Sequence, residues 1–394
     1  MKVHILIGLA LPFACGAAGV SWQFDGGSLD RVEKVAPDHF RVFVKGQSDQ
    51  DSRNRQASWY FFRVDGAPRT ALTFDILGLP GEYNYQPNRG AITRDTPPVV
   101  SYDGRNWKHV DDFEFDDAEP RLRLRIRPRH ARFWVAHTPP YTSADLENLR
   151  KAVLRHPEAR EQRIGKSVEG RDLLLWTIGK AEARITVWLM FRQHAWESGS
   201  SWTGDGAMRA LLRDARLRAG VRWQVFPMAD PDGVAKGRVR FNSNGYDLNR
   251  KWDVNDARLM PETAAQRAAM LNWLRGGKSI DLFLTLHNTE TAEYLEGPPG
   301  RLAEGLFKAL LEQTTFDPSR ALSVVLANEA RGRATVVQAL AAEGKIPAFL
   351  MEQRIGYGRK LGHLPEVADR TRFGRELVQA IHSVVPRVEA RTTQ

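Results

Sequence analysis

The sequence predicts an α/β domain with a largely parallel or mixed sheet, preceded by an antiparallel β-sandwich. A chain of 394 residues with 42% hydrophobic residues has room for two domains, each with its own core. Up to about residue 135 the apolar residues come in short alternating segments separated by turns roughly every ten residues, the texture of a sandwich. Beyond Pro139-Pro140 they come instead as continuous runs between helical stretches, the texture of strands buried on both faces.

Met1-Lys2, an apolar run over 5–14 and the small residues Cys15-Gly16-Ala17-Ala18 have the layout of a secretory signal, so residues 1–18 are expected to be a leader and the rest of the chain to be exported, periplasmic or secreted. The run is too short for a permanent membrane span. The sandwich is expected over 19–138, its strands in 39–44, 59–64, 71–76 and 122–126, with Gly66, Gly78, Gly81 and Asp103-Gly104 at turns. The paired prolines cannot continue a ladder and close this domain. The α/β domain is expected over 141–385, opening with a helix that Ser143 can cap, and a short tail over 386–394. Its strands fall in 173–178, 185–191, 223–228, 280–286, 323–326 and 347–351, with helices over 264–274 and 301–313.

The net charge of +10 favours acidic partners, but it is spread along the chain with no Lys/Arg block, so nucleic-acid binding is not expected. With one cysteine, placed in the expected leader, neither a disulfide framework nor a thiolate metal site can form. Any metal must be held by His and carboxylate.

Ligand sites of open α/β sheets lie beyond the carboxyl ends of the strands. After 185–191 comes Arg192-Gln193-His194-Ala195-Trp196-Glu197, after 280–286 comes His287-Asn288, and 347–351 runs into Glu352. His194 and Glu197 on one turn, with His287 from a neighbouring strand end, would make a His2Glu set with an open position for water, the arrangement of catalytic zinc. Glu352, a carboxylate ending an apolar strand, suits the acceptor of that water's proton. The plainer readings are satisfied core histidines and a strand-end surface carboxylate. Between the first and second of these places, Asp230-Pro231-Asp232-Gly233 and the Arg- and Asn-rich stretch 237–252 form an irregular segment. Its Arg forks could bind a carboxylate, or Arg250 could pair with Asp247 or Asp253 and Arg240 could lie on a solvated face.

These motifs, in this order, resemble the zinc carboxypeptidases related to carboxypeptidase A, most closely their cytosolic-carboxypeptidase-like branch. Residues 192–202 look like that branch's metal-binding segment, Gly245-Tyr246-Asp247-Leu248-Asn249-Arg250-Lys251-Trp252 like its carboxylate-binding segment, and 59–66 and 99–104 like its leading β-sandwich. The resemblance implies a mixed central sheet flanked by helices, and one zinc per chain held by His194, Glu197 and His287. It implies Glu352 as general base, Asn249 and Arg250 on the substrate's terminal carboxylate, and Arg240 polarising the scissile carbonyl. Many relatives have an acidic residue shortly before the second ligand His and a Gly after it, where Thr285-Leu286-His287-Asn288 stands here. The family's mobile Tyr has only Tyr294 as a counterpart between His287 and Glu352.

The expected activity is therefore zinc-dependent hydrolysis of the last peptide bond of peptides or proteins, possible partners including acidic and cell-wall peptides. The rivals are a cell-wall peptide amidase, an N-acyl amino acid deacylase and a catalytically degenerate binding protein. Arg354 and Arg359, just past Glu352, are candidates for reading an acidic side chain, or a solvated basic turn.

Overall fold

A computed structural model of the chain describes residues 18–325, 331–344 and 346–392. The expected leader, apart from Ala18, lies outside the described residues. No described helix is long and apolar enough to cross a membrane.

Two five-stranded sheets form the first domain. One runs Gly19–Ser21, Phe61–Asp65, Arg132–Ala136, Val99–Ser101, Lys108–His109; the other runs Phe113–Asp116, Arg121–Ile126, Leu72–Leu77, His39–Phe43, Arg31–Ala36. Alternation fixes which residues face inward: in Arg121–Ile126, Leu122, Leu124 and Ile126 are buried while the arginines between them are not. They meet Phe62, Val64, Phe74 and Phe133 in one apolar core. The pairing departs from the antiparallel expectation once, because His39–Phe43 and Leu72–Leu77 are parallel neighbours. The chain between them visits the opposite sheet at Phe61–Asp65 and returns in the same direction, a crossover that local alternation does not encode. A small sheet of Gln47–Ser48, Arg55–Gln56, Gly81–Tyr83 and Gln86–Asn88 lies apart from the sandwich.

The second domain is an eight-stranded mixed sheet in the order Ala159–Lys166, Asp172–Ile178, Val221–Phe226, Ile185–Phe191, Leu282–Thr289, Ala348–Arg354, Tyr294–Gly297, Ser323–Val324. Its four central strands, from Val221–Phe226 to Ala348–Arg354, are mutually parallel. All seven residues of Ile185–Phe191 are buried, as a strand covered on both faces requires. Helices Ser143–Leu154, Ser198–Arg213, Arg301–Gln313 and Val367–Thr392 cover one face, through Leu149, Leu211, Leu306 and Leu377 among others. Pro261–Arg275 and Val336–Gly344 cover the other, through Met270, Val336, Val337 and Leu340. The last helix includes 386–392, expected as a tail, because the good helix formers Arg387, Glu389, Ala390 and Arg391 carry it past Pro386.

Candidate metal centre

The chain turns sharply where Ile185–Phe191 ends. Arg192 adopts φ +62°, and its side chain, 1% exposed, reaches back to donate to the carbonyls of Ala195 (2.8 Å) and Tyr141 (3.3 Å) and to Ser201 Oγ (3.1 Å). An arginine buried so completely is held in place by these acceptors, and burial lowers its pKa to about 10. The turn it braces presents His194 and Glu197, after which the helix Ser198–Arg213 begins.

His287 approaches from the adjacent strand. His194 and His287 bring their Nδ1 atoms 3.3 Å apart, while Glu197 Oε1 lies 2.6 Å from His194 Nδ1 and Oε2 lies 3.0 Å from His287 Nδ1. One ligand atom from each of the three residues falls within 4.8 Å of the others, and all three side chains are about 2% exposed or less.

The outer ring nitrogens settle the tautomers. His194 Nε2–H donates to Asp247 Oδ1 (3.1 Å), and His287 Nε2–H donates to Gln193 Oε1 (2.9 Å). Gln193 is oriented by its own Nε2, which donates to the Leu248 carbonyl (2.9 Å), so its oxygen must face the ring. Thr285 Oγ1 donates to the same Gln193 oxygen at 3.1 Å. Since both outer partners are acceptors, each imidazole keeps a proton on Nε2 and turns Nδ1 inward, where a metal would take the lone pair in place of any proton shared with Glu197.

Three inward-facing lone-pair donors, one anionic, fit a tetrahedral zinc site with its fourth position open. Burial alone would raise the Glu197 carboxyl, but the two rings outweigh it and hold the group well below the ordinary carboxylate range. Burial likewise opposes ionisation of Asp247, which Arg240 and His194 hold far below its usual value.

Both Glu352 and His287 lie inside strands rather than beyond their ends, a correction to the expected ends at 351 and 286. Leu282–Thr289 and Ala348–Arg354 keep pairing past their apolar stretches, and the parallel register sets His287 directly beside Glu352. Glu352 is partly exposed, its Oε2 has no protein partner, and burial followed by the nearby Glu197 carboxylate pushes its pKa well above the ordinary value.

The segment after the strand Val221–Phe226 brings the remaining residues. Arg240 Nε donates to Asp247 Oδ2 at 2.7 Å, so Asp247 joins Arg240 to His194. Burial disfavours the guanidinium's charge, yet Asp247 and Glu197 more than offset it and raise the Arg240 pKa. Asn249 is 4% exposed; its Oδ1 accepts from the Val336 amide (3.0 Å), which leaves its Nδ2 donors for a ligand. Arg250 Nη1 donates to the Asn249 carbonyl (2.8 Å), and among the described residues it pairs with neither Asp247 nor Asp253. Arg240, Asp247 and Arg250 line a cleft of about 470 Å³ whose opposite wall is Asp49, Gln50 and Arg53 of the first domain. A larger cavity, about 650 Å³, opens beside Ile185 and Ile280 at the other end of the strands, so size alone does not locate the site.

Other expected residues have structural employment. Arg354 is buried beside Glu293 and Asp317, whereas Arg359 is exposed and reaches Asp317 only at 3.5 Å, as in a solvated basic turn. Tyr294 belongs to the strand Tyr294–Gly297, opposite Glu352, with the Arg320 guanidinium 3.6 Å over its ring; it is not on a loop. Asn288, where many relatives have Gly, accepts from the Ser200 amide (2.8 Å) and donates to the Gln353 carbonyl (3.1 Å), tying the helix start to the sheet. The sequence reading gives Asp247 only a possible pairing with Arg250, and Gln193 no role. The Asp-x-Asn-Arg spacing and the adjacency to His194 were the only signals available for them.

Comparisons with known proteins bear on both domains. The zinc carboxypeptidase family profile matches residues 146–297, and the cytosolic carboxypeptidase N-terminal domain profile matches 20–137. An uncharacterized protein of Zymomonas mobilis is 28% identical over 281 residues, 70% of this chain and 69% of its own length. Mouse cytosolic carboxypeptidase 2 is 25% identical over 58% of this chain, which spans only 30% of that protein. A metallo-carboxypeptidase from Burkholderia cenocepacia shares the fold over 95% of this chain and 100% of its own, with TM-score 0.82 and 22% identity. Residues 146–297 thus belong to the zinc carboxypeptidase family of hydrolases, and they follow a cytosolic carboxypeptidase N-terminal domain over 20–137.

Proposed function

We propose that this chain is a zinc-dependent carboxypeptidase that removes the last residue of peptides or proteins, with Glu352 as general base. The observation that carries this reading is the convergence of His194 Nδ1, His287 Nδ1 and Glu197 beside Glu352, whose buried Oε2 has no protein partner.

A substrate's terminal carboxylate meets the Asn249 amide donors and the Arg250 fork, which fixes the last residue in the cleft. The scissile carbonyl then lies toward Arg240, whose fixed positive charge stabilises the oxyanion as it develops. Zinc held by His194, Glu197 and His287 would polarise that carbonyl and lower the pKa of water. Glu352 accepts a proton from the attacking water and delivers it to the departing amine nitrogen, so the group serves first as base and then as acid. Its raised pKa comes first from burial and then from the neighbouring Glu197 carboxylate; a dication held by the three ligands would shift it back toward the charged form, as a base requires.

Chelation tests the reading. Purified protein should contain one zinc per chain, lose hydrolysis of C-terminally free peptides when it is stripped, and recover it with one equivalent of zinc. Full activity in metal-free protein would sink the proposal. Digesting muropeptides beside ordinary peptides separates a cell-wall substrate from a general one, since both end in carboxylates.

A further inference from the structure

The segment that carries Arg240 is held from outside its own domain. Gln47, on the small sheet of the first domain, places its side-chain oxygen 3.0 Å from the Val239 amide, 2.7 Å from the Arg240 amide and 2.9 Å from the Phe241 amide. Its Nε2 donates to the Phe241 carbonyl at 2.6 Å, which fixes the orientation of the amide group. Three successive N–H groups therefore converge on one oxygen, and one side chain satisfies most of the polar backbone around Arg240.

Two further ties flank this one. The Gln50 amide donates to the Gly245 carbonyl (3.1 Å), and the Gly26 amide to the Ala235 carbonyl (3.1 Å). Both segment ends approach the first domain so closely that side chains do not fit. A Cβ on Gly245, at φ +83°, would meet the Gln50 nitrogen at 2.6 Å, and one on Gly237, at φ +58°, would meet the Gly27 carbonyl at 2.5 Å. From its own domain the stretch next to Arg240 receives the Trp196 amide on the Val239 carbonyl (2.9 Å) and the Arg240–Asp247 pair, while on either side Arg238 donates to Glu169 (2.7 Å) and Asn242 to the Leu259 carbonyl (3.0 Å) and Glu262 (3.1 Å). A continuous polar chain thus leads from Gln47 through Arg240 and Asp247 to His194.

We infer that the first domain is part of the catalytic apparatus, with Gln47 the positioning residue that sets the Arg240 guanidinium on the scissile carbonyl. This deepens the carboxypeptidase reading and rests on it. Arg250, which grips the terminal carboxylate, does not hang from Gln47, so this tie acts on the oxyanion side of the reaction, apart from the cleft wall that Asp49, Gln50 and Arg53 supply.

The test compares Gln47→Met, nearly isosteric but without the acceptor, with Gln47→Glu, which keeps an oxygen facing the three amides. In the zinc-loaded full chain, Gln47→Met should lower kcat about 10- to 100-fold with KM changed less than about threefold, and Gln47→Glu should restore most of the loss. Hydrogen exchange read at the Val239, Arg240 and Phe241 amides supplies an arm independent of catalysis: Gln47→Met should speed it at least tenfold, with zinc content unchanged. Unchanged exchange overturns the inference whether or not the protein hydrolyses peptides. So does a kcat equal to wild type, or a loss that appears equally in KM and zinc content, which would mark Gln47 as a general structural residue. Absence of hydrolysis by wild type would instead count against the carboxypeptidase reading, and is seen before any variant is compared.

Discussion

Single side chains divide the chemistry between them, and their removal should separate cleanly in kinetics. Glu352→Gln leaves the three metal-binding side chains untouched, so zinc content should hold while kcat falls about 10²- to 10⁴-fold, the usual worth of a positioned base. Arg240→Ala removes a donor aimed at developing charge and should cost about 10²- to 10³-fold in kcat. Arg250→Ala removes carboxylate binding present before and during the reaction, so its main effect should be a raised KM. Steady-state kinetics on one peptide series distinguishes the three. The residues that the structure brings together around the turn at 192–197 were legible because each is a His, Glu, Arg or Asn in an unusual place, following an apolar strand or crowding a loop. Asp247, Gln193 and Thr285 were not, because their part is to orient other side chains, and an Asp, Gln or Thr near a strand end has many ordinary uses.

Secondary elements were legible wherever period and burial coincide. The run at 185–191 is a strand buried throughout, and the pattern at 301–313 is a helix of that length. Strand ends were less so: hydrophobicity stops at Leu286 and Met351, but backbone pairing continues through the polar His287 and Glu352. Helix contacts were not legible at all. Ser198–Arg213 and Val367–Thr392 cross at glycines, where a Cβ on Gly206 would lie 2.0 Å from the Thr371 carbonyl and one on Gly374 1.9 Å from the Thr203 carbonyl. Backbone cannot give way as a flexible side-chain tip can, so Gly374→Ala should destabilise the protein by about 1–3 kcal/mol or more despite alanine's better helix propensity. Denaturant unfolding of that variant measures the loss, and unchanged stability would contradict the close crossing.

Across the whole molecule, the two domains meet through an apolar cluster that includes Trp59, Phe61 and Trp107 on one side and Trp196, Val239 and Ile355 on the other. Trp196 lies between His194 and Glu197 in sequence, so the metal turn itself is packed against the first domain. His137, 1% exposed, stacks 6.1 Å from Trp196 and donates from Nδ1 to the Ser58 carbonyl at 2.7 Å, while its Nε2 has no protein partner. Burial lowers its pKa to about 4, so the folded protein holds the ring neutral where the unfolded chain, near 6.5, would bind a proton. Its contribution is fully present above about pH 6.5 and is lost as pH falls toward 4, about 3 kcal/mol in all. Gln can donate to Ser58 without titrating, so subtracting the stability of His137→Gln from that of wild type across pH 7 to 4 should reveal this slope; a flat difference would contradict it. The two-layer plan of sandwich and α/β sheet was legible from texture, whereas the parallel pair inside the sandwich and the reach of Gln47 into the neighbouring domain were not. Both depend on residues far apart in sequence that no local period connects.

The central claim is that this site recognises and cuts at a free C-terminus with zinc in place. Mass spectrometry of a peptide and its C-terminally amidated twin, each incubated with zinc-loaded protein, tests it most directly. The account predicts loss of single residues from the free peptide and none from the amide; internal cleavage, equal cleavage of both, or an untouched free peptide would contradict it.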